Sequence, residues 1–185
     1  MTERESMFAG VAKHPEQFPV LADWLEEHGE PELAAKIRGS GGYWSGSGME
    51  PIRGLLIREV YRSDDELVFV IDAGAISFLV EGDCCSESWY HLIEGVENLI
   101  GASVVAIFEA DVRDVDENDG RGRQESESIY GIGLLTTKGV SRIVFRNSSN
   151  GYYGGWIKFI DEANIAGHER VTQDWISPVP VPQSS

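Results

Sequence analysis

Between residues 52 and 160 the chain is a series of short stretches rich in branched and aromatic residues, each closed by turn-forming residues. That spacing leaves room for little except antiparallel strands. Stretches 52–62, 67–72 and 75–81 are divided by Ser63-Asp64-Asp65 and Asp72-Ala73-Gly74, breaks with hairpin chemistry that predict a meander. Further strands are expected at 103–109, 129–137, 140–146 and 152–160, with turns at 137–139 and 147–151. One helix is expected to interrupt them. Ser86 suits an N-cap, Glu87 suits the first turn, and Trp89, Leu92, Ile93 and Val96 fall at i, i+3, i+4 and i+7.

The first 38 residues have a different period. Thr2 and Glu5 form a capping-box pattern ahead of Phe8, Val11 and Ala12, and Pro15 stops that helix. A second helix is expected from Pro19, with Val20, Leu21, Trp24 and Leu25 as its apolar stripe and Gly29 as its terminator. A third opens at Pro31 and turns Leu33, Ala34 and Ile37 inward. The predicted fold class is therefore α+β: a mostly antiparallel sheet of about seven strands with one packed helix, plus a small N-terminal three-helix appendage. The expected divisions are 1–38 (helical appendage), 39–51 (Gly/Ser linker, with Tyr43 and Trp44 docking on the main domain or closing a pocket), 52–164 (strand domain) and 165–185 (extended tail carrying Pro178, Pro180 and Pro182).

Two resemblances follow from particular runs of residues. Ala22-Asp23-Trp24-Leu25-Glu26-Glu27-His28-Gly29, followed by Glu30-Pro31, resembles the signature of a small helical repeat-companion domain found at the ends of otherwise unrelated bacterial proteins. That resemblance implies attachment rather than chemistry, and His28 in the last turn reads as a cap favoured by the helix dipole. Gly82-Asp83-Cys84-Cys85-Ser86, together with the run from Phe145 through Asn147, Asn150, Tyr152 and Tyr153 to Gly155, resembles an uncharacterised domain family of bacterial and bacteriophage proteins. It implies a shared fold and a shared hot region, with no activity to carry over.

Charge narrows the function. Asp and Glu number 31 against 15 Lys and Arg, a net −16, so the field of the whole molecule repels nucleic-acid phosphates and anionic lipid. No apolar run reaches the roughly 18 residues of a membrane span, and Met1-Thr2-Glu3-Arg4-Glu5 does not read as a signal peptide. A cytoplasmic location with reduced thiols is expected, since the two cysteines are neighbours and cannot bridge distant segments. The expected partner is a protein, in one version a basic surface that the acidic chain engages as an inhibitor or nucleic-acid mimic; a small-molecule ligand is the alternative, and no cofactor is expected.

The binding region is expected where Asp83, Cys84, Cys85 and Ser86 meet His91, Asn147, Asn150, Tyr152 and Tyr153. A helix beginning at Ser86 would present free backbone N–H groups and lower a nearby thiol's pKa. On that reading a cysteine-dependent enzyme using His91 as base is the rival, against which stand the nearby acids Glu81, Asp83 and Glu87. Tyr152 and Tyr153, in a strand, would face opposite sides, one entering the core. Asp114, Asp116, Asn118 and Glu125 fall at positions 1, 3, 5 and 12 of a calcium loop, though the glycine comes one place late and the flanks read as strands. A solvated hairpin loop is the competing account.

Overall fold

The computed structural model describes residues 2–14, 17–39, 46–116 and 124–178. Tyr43, Trp44, Asn118, Pro180 and Pro182 lie outside the described residues. The fold is α+β, with helices α1 (Glu3–Lys13), α2 (Phe18–Glu27) and α3 (Pro31–Gly39) preceding ten strands among the described residues. The strands are β1 (Ile57–Arg62), β2 (Glu66–Ile71), β3 (Gly74–Gly82), β4 (Glu87–Glu94), β5 (Val104–Glu109), β6 (Ser126–Thr136), β7 (Val140–Ser149), β8 (Gly155–Ile160), β9 (Glu169–Val171) and β10 (Trp175–Ile176), with one short helix, α4 (Val96–Leu99), after β4. No described helix is long and apolar enough to cross a membrane.

Two five-stranded antiparallel sheets take the place of the single sheet expected. The first has the order β8-β3-β2-β1-β9 and the second β10-β4-β7-β6-β5. They share one core, in which Val60, Phe69 and Phe78 of the first sheet meet Tyr90, Ile107, Leu134 and Phe145 of the second. Which strands share a sheet is decided by long-range pairing. The β1-β2-β3 meander forms as its turn chemistry dictates, Ile71 pairing with Gly74 across a two-residue turn and Gly74 taking a positive φ of 139°.

The helices form a third layer. Phe8, Val11, Leu21, Leu25, Ala34 and Ile37 pack with Val105, Ala106, Phe108 and Leu135, on the outer side of the second sheet. Strand β5 is consequently buried on both faces, Val104 and Ile107 facing the shared core and Val105, Ala106 and Phe108 the helices. The Thr2–Glu5 capping box is present. His28 caps α2 as its position suggested: its Nδ1 lies 2.7 Å from the Trp24 carbonyl oxygen and its ring stacks on Trp24 at 3.9 Å.

The expected helix from Ser86 is instead strand β4, and the reason is a bulge. The register of β4 on β7 shifts between Tyr90 and Leu92, which inserts one extra residue. Tyr90 and Ile93 therefore both reach the shared core although three residues apart, and that spacing imitates a helical period. The described end of the stretch expected as a linker forms a 3-10 turn, Ser47–Ile52, which buries Met49 and Ile52 against the first sheet. The stretch expected as a plain extended tail supplies edge strands β9, paired with β1, and β10, paired with β4.

Candidate functional site

The chain changes sheets twice at one end of the molecule, and the two crossings lie side by side. Strand β3 leaves the first sheet at Gly82, and β4 enters the second at Glu87; β7 leaves the second sheet at Ser149, and β8 enters the first at Gly155. Gly82 pairs with Gly155, and Glu87 and Ser88 pair with Ser148 and Asn147. The structure therefore brings the turn at 83–86 and the loop at 150–154 to the same tip.

Sequence around the crossings explains why they fit. A Cβ on Gly82 would sit 2.2 Å from Ser86 Oγ and 2.7 Å from Asn147 Nδ2, and one on Gly155 would sit 2.8 Å from Ser88 Oγ. Small residues are required because polar side chains fill the gap: Asn147 Nδ2 donates to Ser88 Oγ at 2.9 Å, and Ser88 Oγ donates to the Glu81 carbonyl at 2.9 Å. Gly82→Ala should overpack this knot and cost about 1–3 kcal/mol, read as a lowered urea midpoint at unchanged m.

At the tip, Cys84 and Cys85 occupy the centre of a tight turn closed by Ser86 N–H donating to the Asp83 carbonyl at 2.9 Å. There is no helix here, so the dipole argument for a reactive thiolate falls away. The Cys84 thiol is instead pushed above its ordinary value, first by its hydrogen bond with Cys85, then by charge on Cys85, with Asp83 adding to it. Asn147 differs from expectation too: it lies within β7, fully buried, not in an exposed turn. Asn150 starts the exposed loop, where its Oδ1 accepts from Tyr152 N–H at 3.2 Å. Tyr152 and Tyr153 precede β8 rather than lying in it, so neither enters the core; they are 89% and 36% exposed.

His91 is not part of this tip. Four strand steps from Glu87 place it about 13 Å along β4. The structure thus separates His91 from the turn that carries Cys84 and Cys85. Among the described residues His91 belongs to a polar network that sequence reasoning missed. Its Nε2 accepts from Arg146 Nη2 at 3.2 Å. Arg146, wholly buried, also donates to the Asp116 carbonyl at 2.6 Å and forms an ion pair with Glu127. On the same face of β7, Arg142 donates to Glu94 at 2.7 Å and forks onto Asp114 at 2.6 and 2.8 Å, holding the Asp114 carboxyl below the ordinary carboxylate range. His91, Glu94, Asp114, Arg142 and Arg146 line a cleft of about 380 Å³. The signal for it was the pair of arginines at 142 and 146, four residues apart in a strand and hence on one face.

Of the calcium-loop residues, Asp114 is thus committed to Arg142 and Asp116 offers Arg146 a backbone carbonyl, while Glu125 is exposed and Asn118 lies outside the described residues. Among the described residues no group of three or more His, Cys, Asp or Glu side chains is placed to hold a metal ion.

Residues 50–159 match the family DUF7448, described as a domain of unknown function. The chain belongs to that family. The DUF7448 span takes in both crossings and all of β1 to β7. An uncharacterised protein of Acanthamoeba polyphaga mimivirus is 35% identical over 81 residues, which cover 42% of this chain and 62% of that protein. The match thus spans about three fifths of the relative's length. No solved structure matches the chain.

Proposed function

We propose that this DUF7448 protein is a non-enzymatic binding or regulatory protein that engages a basic protein surface through the tip at 83–86 and 150–154. The observation that carries the reading is the side-by-side pairing of Gly82 with Gly155, which gathers Tyr152, Tyr153 and the cysteine pair at one end. An exposed tyrosine forgoes burial in the free protein and regains it at an interface, where such aromatic anchors dominate affinity. Asp83, Glu87 and Glu125, all exposed, are near or beside these strand ends, and the net charge of −16 adds a long-range attraction for cationic partners. A protein partner is favoured over a small anion because the cations of the cleft, the buried Arg146 and the partly exposed Arg142, are already matched to carboxylates.

We also place the protein in the cytoplasm, where exposed thiols rest in the reduced form and a disulfide is transient. The bacterial or bacteriophage setting and the attachment role of α1–α3 rest on the motifs quoted above.

Affinity capture at low salt from cells that carry the protein tests the reading. The intact chain is expected to retain a basic partner that elutes as ionic strength rises. A Tyr152→Ala/Tyr153→Ala variant should bind it at least about 30-fold more weakly, a loss of about 2 kcal/mol or more. Capture indifferent to both salt and the tyrosines would overturn it.

A further inference from the structure

Cys84 and Cys85 are both exposed, and their sulfurs lie 3.7 Å apart, close enough for one thiol to hydrogen-bond the other. Neighbours in a strand point to opposite faces; here the turn between Asp83 and Ser86 turns both thiols to the same side. We propose that Cys84 and Cys85 form a redox-active dithiol that closes reversibly into a disulfide within the turn by exchange with low-molecular-weight disulfides of the glutathione class. This inference is independent of the binding role.

The exchange takes two displacements. One cysteine, as thiolate, attacks a sulfur of the small disulfide; that S–S bond breaks, one small thiol leaves with a proton, and a mixed disulfide remains on the protein. The neighbouring cysteine then gives up its proton and attacks the protein-side sulfur, forming the Cys84–Cys85 bond and expelling the second small thiol. The dithiol loses two electrons and two protons, and the small disulfide gains both. The second displacement is intramolecular, its sulfur waiting 3.7 Å away, so the mixed disulfide should not persist.

Reversibility comes from strain. Adjacent Cα atoms are about 3.8 Å apart across a trans peptide, short of the roughly 4.4–6.8 Å that disulfides ordinarily span. A bond formed under that constraint is readily reduced, the property of labile rather than structural disulfides. The turn can yield because it is exposed and is closed locally, by the Ser86 N–H and hydroxyl donating to the Asp83 carbonyl at 2.9 and 3.1 Å. The shared S–H···S contact and the Asp83 charge hold the Cys84 thiol back, so exchange should quicken as pH rises.

The test uses the full chain equilibrated with mixtures of oxidised and reduced glutathione and read by intact-mass spectrometry. The wild-type protein is expected to lose two hydrogens and retain no glutathione, and to recover them fully in excess reduced glutathione. Cys84→Ser and Cys85→Ser should each stop at the first displacement and retain one glutathione. A wild-type protein that keeps glutathione, cross-links to a second copy or does not change mass overturns the proposal, as does a disulfide that excess reduced glutathione leaves intact.

Discussion

Replacing Arg146 with alanine is expected to remove about 3–5 kcal/mol of stability, the scale for breaking one side of a buried ion pair. The guanidinium is wholly buried on β7 and joins three elements: Glu127 on β6, His91 on β4 and the backbone of Asp116 in the loop after β5. Truncation leaves a mostly buried carboxylate, a ring nitrogen and a carbonyl without their donor, and opens a void as well. Urea denaturation followed by tryptophan fluorescence measures the loss. A further variant separates charge from packing. Arg146→Met combined with Glu127→Leu removes both charges while keeping volume, and should recover at least half of the loss. Equal destabilisation of the single and double variants would mean that the ion pair is not what holds β4, β6 and β7 to the loop.

Tyr90 should be nearly as costly to truncate, with Tyr90→Ala losing about 3–5 kcal/mol, because its ring is buried between the sheets beside Phe145. Its hydroxyl donates to the Phe78 carbonyl at 2.9 Å, a bond from the second sheet to the first. Tyr90→Phe keeps the ring and removes that bond, at about 0.5–1.5 kcal/mol. Burial raises the phenol's pKa well above its ordinary value of 10.0 in the folded chain. The neutral form is thus favoured on folding, and the resulting stability is complete below pH 10 and lost above it, as the unfolded chain ionises. The advantage of wild type over Tyr90→Phe should therefore shrink steadily as the pH is raised from 8 to 11. A gap that stays constant over that range would contradict the buried, neutral phenol.

How much of this was readable beforehand depended on the range of the interactions. The capping box at Thr2 and Glu5, the His28 cap and the turns around Asp64, Ala73 and Lys138 are local, and local chemistry predicted them. The bulge at His91 misled because one inserted residue turns a period of two into an apparent period of three, and nothing within β4 reveals it; the partner strand β7 does. Asn147 misled for a related reason. Its composition favours turns, but its place in the ladder opposite Ser88 and its bond to that side chain keep it in a strand.

The amino-acid sequence alone determined the α+β class, the antiparallel meander, the three helices and the net charge, because each follows from neighbours within a few residues or from a simple sum. Tertiary structure decided that the strands divide into two sheets, that the cysteine turn and the tyrosine loop share a tip, and that Arg146 is buried against Glu127 and His91. Those outcomes depend on pairing between residues many positions apart, where the burial of a whole face outweighs local propensity.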